Sequence, residues 1–244
     1  MIRFIIAILF VVAFLLFSYV LFLVEWIVGK WSKEAKDYSS LRIVRWAFGV
    51  VLWISGVEVT VIGKERVPKE AVLYVGNHRS FFDIVILYVQ SDRLTGFVAK
   101  DMLNKIPSLR VWMRYLYCLF LKRDDMREGM KIIMQAIEYI KQGVSMCIFP
   151  EGTRNKGEEL TVLPFKEGSF KIATKSGCPI VPVSINNTAE IFENHLPRLR
   201  KTRVVLEYGE PIYPKELDKE EQKHLGVRCQ NIIQETICRN ATKI

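Results

Sequence analysis

The sequence predicts an α/β fold: a mixed, largely parallel sheet flanked by helices, preceded by an N-terminal two-helix membrane element. Three observations carry this. Residues 4–24 hold no charged side chain. From about residue 60 onward, short apolar runs alternate with stretches of helical period, the pattern of strands and helices stacked in layers. Most of those runs are continuously apolar, as strands buried on both faces are. Half of the 244 residues are hydrophobic and 25% are charged, so the chain can build a core. The organisation read from this is a membrane-associated pair of helices over 1–60 and one α/β domain over 61–244.

The elements follow in order. As a helix, 4–24 would span roughly 31 Å, close to the ~30 Å hydrocarbon layer of a bilayer. It is longer than the apolar core of a cleaved signal peptide, and no A-x-A site follows it. Lys30, Lys33, Lys36, Arg42 and Arg45 lie beyond it, against Arg3 before it. That asymmetry predicts attachment to the cell membrane with the remaining chain on the cytoplasmic side. A second apolar stretch, 46–57, is too short to span, and Trp26, Trp31, Trp46 and Trp53 cluster around it as interfacial residues do. A crossing first helix and a pair of partly embedded helices both satisfy this pattern. Strands are expected at 57–62, 72–75, 96–99, 118–121, 145–149, 180–185 and 204–208, and helices at 81–90, 127–142, 166–176 and 219–239. Met130, Ile133, Ile137 and Ile140 keep helical spacing, and Gly143 and Gly177 fit the ends of two helices.

Lysine and arginine number 35 against 26 acids, a formal charge of +9. Such a balance calls for an anionic partner: nucleic acid, an anionic membrane surface or a phosphorylated substrate. Nucleic acid is disfavoured, because many of the cations flank the membrane segment and none alternate with a stacking platform. The five cysteines are widely spaced, form no C-x-x-C pair, and mostly sit in or beside apolar runs, where thiols act as small buried hydrophobes.

The chemistry is concentrated in two polar turns that follow apolar strands. The first reads Asn77-His78-Arg79-Ser80-Phe81-Phe82-Asp83. In open α/β sheets, sites form at the carboxyl ends of strands. A neutral imidazole there is suited to take a proton from a hydroxyl, and a carboxylate on its other nitrogen fixes the tautomer and stabilises the imidazolium. His78 and Asp83 are the candidates. No protein nucleophile is needed, since the attacking oxygen belongs to the substrate. Ser80 and Asp83 also fit an ordinary helix start, as N-cap and N3. The second turn reads Pro150-Glu151-Gly152-Thr153-Arg154. Its guanidinium suits a phosphate, and Gly152 permits close backbone approach. An ordinary Glu–Arg surface turn is the alternative. Arg123 is a further cation at a strand end.

Taken together, these segments resemble the glycerolipid acyltransferases. Residues 77–83 look like that family's N-H-x-S-x-x-D signature, 149–154 match its F-P-E-G-T-R block, and 178–183 resemble its final apolar block with a proline inside the strand. The resemblance runs from about residue 63 to residue 183. One block departs: 117–123 keeps Phe120 and Arg123 but lacks the family's glycines. Lys100 and Lys105 lie where the family often carries lysines.

The resemblance is nearest to the members that make phosphatidic acid. It implies transfer of a fatty acyl group from acyl-CoA or acyl carrier protein to the 2-hydroxyl of lysophosphatidic acid, at a bilayer. His78 would be the general base and Asp83 its orienter. Asn77, Ser80, Arg123, Glu151, Gly152, Thr153 and Arg154 would bind substrate. The oxyanion would be met by Asn77 or by backbone N–H groups near the helix start. No metal and no cofactor beyond the thioester co-substrate is implied. Transfer to glycerol 3-phosphate or to another lysophospholipid, thioester hydrolysis, and a non-enzymatic basic membrane protein are the alternatives.

Overall fold

The computed structural model describes residues 1–121 and 126–244. Two helices come first, α1 (Ile2–Trp31) and α2 (Lys33–Ser55), parted by Ser32 alone. Ser32 is extended, and its hydroxyl caps α2 by accepting the Ala35 N–H at 3.1 Å. The first helix runs past the uncharged 4–24, with Glu25 given hydrogen-bond partners inside the hairpin. That residue is buried, and its carboxylate accepts from the Ser39 and Ser40 hydroxyls at 2.7 and 3.1 Å. The second apolar stretch is the C-terminal half of α2, which stops at Gly56 with φ at 73°. Strand β1 (Val57–Ile62) begins immediately, so residues 57–60 lie in the sheet.

By length and composition α1 is long and apolar enough to cross a membrane, with a mean hydropathy of 3.0 in its most apolar window. Its outer face leaves Leu9, Leu16 and Phe17 exposed, and Trp31 and Trp53 stand out at the ends of the pair. The inner face packs on α4 (Pro107–Tyr115): Phe14 and Phe22 lie 5.9 and 5.0 Å from the Trp112 ring. The Trp112 indole N–H donates to Ser18 Oγ at 2.8 Å, giving a buried indole the partner it needs. The sequence reading leaves α4 unassigned.

All seven expected strands form and join one sheet in the order β1-β7-β6-β2-β5-β3-β4. The further strands are β2 (Leu73–Gly76), β3 (Thr95–Lys100), β4 (Leu119–Leu121), β5 (Ser145–Ile148), β6 (Ile180–Asn186) and β7 (Thr202–Tyr208). Every pairing is parallel except β6 with β7. Pro182 is tolerated inside β6 because the β7 ladder reaches only Val183↔Tyr208. One face of the sheet carries Tyr74, Cys147, Val181 and Val183 against α2, α4 and α3 (Phe82–Gln90). The other carries Leu73, Val75, Met146 and Ile148 against α5 (Met126–Lys141), α6 (Lys171–Ser176) and a C-terminal helix.

The helix expected at 166–176 opens as a 3-10 turn, Glu167–Phe170, before α6. That expected at 219–239 is divided at His224 into α7 (Lys219–Lys223) and α8 (Leu225–Asn240). What matters for chemistry is the centre. Strand β2 lies between β5 and β6, parallel to both, with Tyr74 opposite Cys147 and Val181. The carboxyl ends of all three therefore open on the same edge.

Candidate active site

Leaving β2, the chain is fastened before it turns. Asn77 is buried, and its amide both donates to the Ile185 carbonyl at 2.8 Å and accepts the Ile185 N–H at 2.9 Å. It thus docks on β6 as a strand residue would, with its amide oxygen and one amide N–H engaged. Gly76 lets Phe149 come close, since an added Cβ would sit 3.1 Å from its ring.

His78 then lies flat on Phe149, with ring centroids 4.3 Å apart and planes 15° from parallel. Its Nδ1 is 2.8 Å from Asp83 Oδ2. A carboxylate oxygen only accepts, so Nδ1 carries the hydrogen and Nε2 presents a lone pair. Among the described residues Nε2 has no protein partner, and the side chain is 15% exposed. The ring is therefore partly open to solvent.

Asp83 itself is fully buried in the first turn of α3. Its Oδ2 also accepts the N–H groups of Arg79 and Ser80, each at 2.8 Å. Its Oδ1 accepts the Thr188 hydroxyl at 2.5 Å. Four donors on one carboxylate satisfy a buried charge and lock the loop that carries the imidazole.

The turn after β5 supports this loop from the other side. Glu151 points inward: its oxygens accept the His78 N–H at 2.7 Å and the Leu163 N–H at 3.1 Å. Burial raises its carboxyl above the usual carboxylate range, against those two N–H bonds. The residue is a buried brace for the His78 loop. Gly152 has φ at 71°, which a Cβ would strain. Thr153 and Arg154 are exposed. Asn155 donates its N–H to the His78 carbonyl at 2.7 Å.

A third segment, after β6, is one the sequence reading missed. It supplies Thr188 on Asp83 and also Glu193. Glu193 Oε2 accepts the Ser80 hydroxyl at 2.6 Å, while Oε1 accepts the Phe81 N–H at 2.8 Å and Arg154 Nη1 at 3.1 Å. Ser80 Oγ in turn accepts the Phe82 N–H at 3.0 Å from one residue ahead of the N-cap, which is Phe81. Arg79, also unassigned by the sequence reading, is buried: its guanidinium donates to the Gly157 and Glu158 carbonyls at 2.8 and 2.9 Å and pairs with Glu159 at 3.0 Å. It bolts the β2 loop to the 157–159 loop.

The structure thus gathers His78, Asp83, Ser80 and Arg154 at one edge, uses Asn77 and Glu151 as braces, and leaves Gly152 and Thr153 in the turn between. Arg123 lies outside the described residues. Lys100 ends β3, and Lys105 closes the short 3-10 turn after it. His195 pairs with Glu190 at 2.7 Å, away from this dyad. No sequence signal marks Thr188 or Glu193 beyond their place after the last central strand.

A family model described as Acyltransferase matches residues 58–186, which contain the dyad and both turns. A 1-acyl-sn-glycerol-3-phosphate acyltransferase from Borreliella burgdorferi is 34% identical over 154 residues, 63% of this chain and 61% of that one. The chain thus spans about three fifths of that relative's length. A probable enzyme of the same name from Mycoplasma pneumoniae is 32% identical over 193 residues, 73% of this chain and 71% of the relative. Among solved structures, the 1-acyl-sn-glycerophosphate (LPA) acyltransferase PlsC from Thermotoga maritima superposes with a TM-score of 0.76 at 28% identity, covering 97% of both chains.

Proposed function

The chain belongs to the Acyltransferase family, and from that premise we propose that it acylates the 2-hydroxyl of lysophosphatidic acid with a fatty acyl thioester, giving phosphatidic acid. The observation that carries this is the His78–Asp83 pair, its Nδ1 held at 2.8 Å and its Nε2 without a protein partner among the described residues. His78 Nε2 takes the hydroxyl proton as the oxygen attacks the thioester carbonyl. An O–C bond forms, the carbonyl electrons move onto oxygen, and their return expels the C–S pair. The proton passes from the imidazolium to the leaving thiolate of coenzyme A or acyl carrier protein. Asp83 holds the ring and offsets the imidazolium charge.

Arg154 supplies the cation for the acceptor's phosphate. The acyl chain accounts for α1: extracting it into water would cost about 0.8 kcal/mol per CH₂, so the reaction belongs at a bilayer. The cations after α1 favour a catalytic domain on the cytoplasmic face. The relatives' names agree with the acceptor.

His78→Ala tests this directly. Loss of the general base lowers turnover by about 10²–10⁴-fold, read by mass analysis of phosphatidic acid formed from a donor and acceptor panel in mixed micelles. Near-normal turnover by a folded His78→Ala protein overturns the mechanism. Thioester loss that ignores the acceptor marks a hydrolase instead.

A further inference from the structure

We propose that Glu193 is an internal stand-in for the acceptor's phosphate, and that its displacement makes the site select a phosphorylated acceptor. This deepens the reading above and rests on it. Three donors from two separate stretches converge on one carboxylate: the Ser80 hydroxyl at 2.6 Å, the Phe81 N–H at 2.8 Å and Arg154 Nη1 at 3.1 Å. The N–H belongs to the entry of α3, where the helix dipole favours negative charge. Glu193 reaches them from 113 residues beyond Ser80, on a single 3-10 turn.

The arrangement is an anion site with an anion already in it. Ser80 and Phe81 adjoin the dyad: the Ser80 N–H binds the same Asp83 oxygen that holds His78. In lysophosphatidic acid the reacting hydroxyl sits on the carbon next to the one bearing the phosphate. A phosphate on these donors therefore brings that hydroxyl toward Nε2. Glu193 is partly exposed and Arg154 about half exposed, so exchange from solvent is open. A phosphate offers three oxygens to three donors, whereas the carboxylate offers two, one of them shared. Two anions do not share the set, and an uncharged alcohol has nothing with which to replace Glu193.

Glu193→Gln removes the charge and keeps an acceptor oxygen. Assayed with 1-oleoyl lysophosphatidic acid, its KM falls roughly five-fold, the scale of a near-surface Coulomb competition. KM for the phosphate-free 1-oleoylglycerol does not fall. Inorganic phosphate becomes a correspondingly stronger competitive inhibitor. An unchanged or raised KM for lysophosphatidic acid overturns the proposal and leaves Glu193 a structural clamp. Failure of the wild-type protein to make phosphatidic acid overturns the acceptor assignment instead, whatever the variant does. A second measurement needs no substitution: inorganic phosphate at an inhibitory concentration accelerates amide exchange in the 192–195 turn of the wild-type protein. Unaltered exchange there overturns the proposal.

Discussion

Replacing Asp83 with Asn exchanges one oxygen for an amide and removes the charge facing His78, with almost no change of volume. Three donors reach Oδ2 at 2.8 Å and one reaches Oδ1. An asparagine keeps its oxygen toward the three and its NH₂ toward Thr188, whose hydroxyl turns to accept. The loop stays in place, and what is lost is the counter-charge to the imidazolium. For charges 2.8 Å apart, at an effective dielectric of about 20, that interaction is about 6 kcal/mol. Were all of it realised in the transition state, it would amount to roughly 10⁴-fold in rate. The amide dipole retains part, so kcat for acyl transfer falls by about 10²–10⁴-fold. The assay follows thiol release and phosphatidic acid together under saturating donor and acceptor, with thermal unfolding as the check on fold. A folded Asp83→Asn protein within about tenfold of wild type would refute the base-and-orienter reasoning, because His78 would then be acting without a counter-charge.

Two further outcomes are expected. Glu151→Gln leaves either the His78 or the Leu163 N–H facing an NH₂ group, which costs about 1–3 kcal/mol in denaturant unfolding. Because burial raises the Glu151 carboxyl, the folded state gains from its protonated form at acid pH. That gain is lost as pH climbs from the ordinary carboxylate value through the raised one, so the wild-type advantage over Glu151→Gln shrinks across that interval; a widening advantage would refute the assignment. A thiol reagent should titrate one cysteine, Cys238, in the native protein and all five after unfolding, since Cys118, Cys147, Cys178 and Cys229 are buried and burial raises each thiol. Rapid native labelling of more than one would show the sheet faces to be looser than described.

Much of the dyad is legible in the chain because it is local. Four residues part His78 from Asp83, and a strand end followed by a helix start brings such a spacing together. The turn of 150–154 is legible for the same reason, as is α1, where freedom from charge over one bilayer's thickness needs no partner to interpret. Burial on both faces marks the strands, since it demands runs apolar at every position. The sequence alone therefore determined the class of fold, the imidazole with its carboxylate, and the apolar first helix.

Only the tertiary structure decided which polar groups serve chemistry and which serve support. Glu151 and Arg154 are neighbours in one motif, yet one turns inward to the His78 backbone and the other outward to Glu193. Asn77 fastens the loop to Ile185 of β6, a contact that appears only when β6 is laid beside β2. Thr188 and Glu193 reach the dyad loop from more than a hundred residues away, because β6 runs parallel to β2 and ends on the same edge. Strand order and register set that meeting, and both arise from long-range pairing that no local window of residues contains.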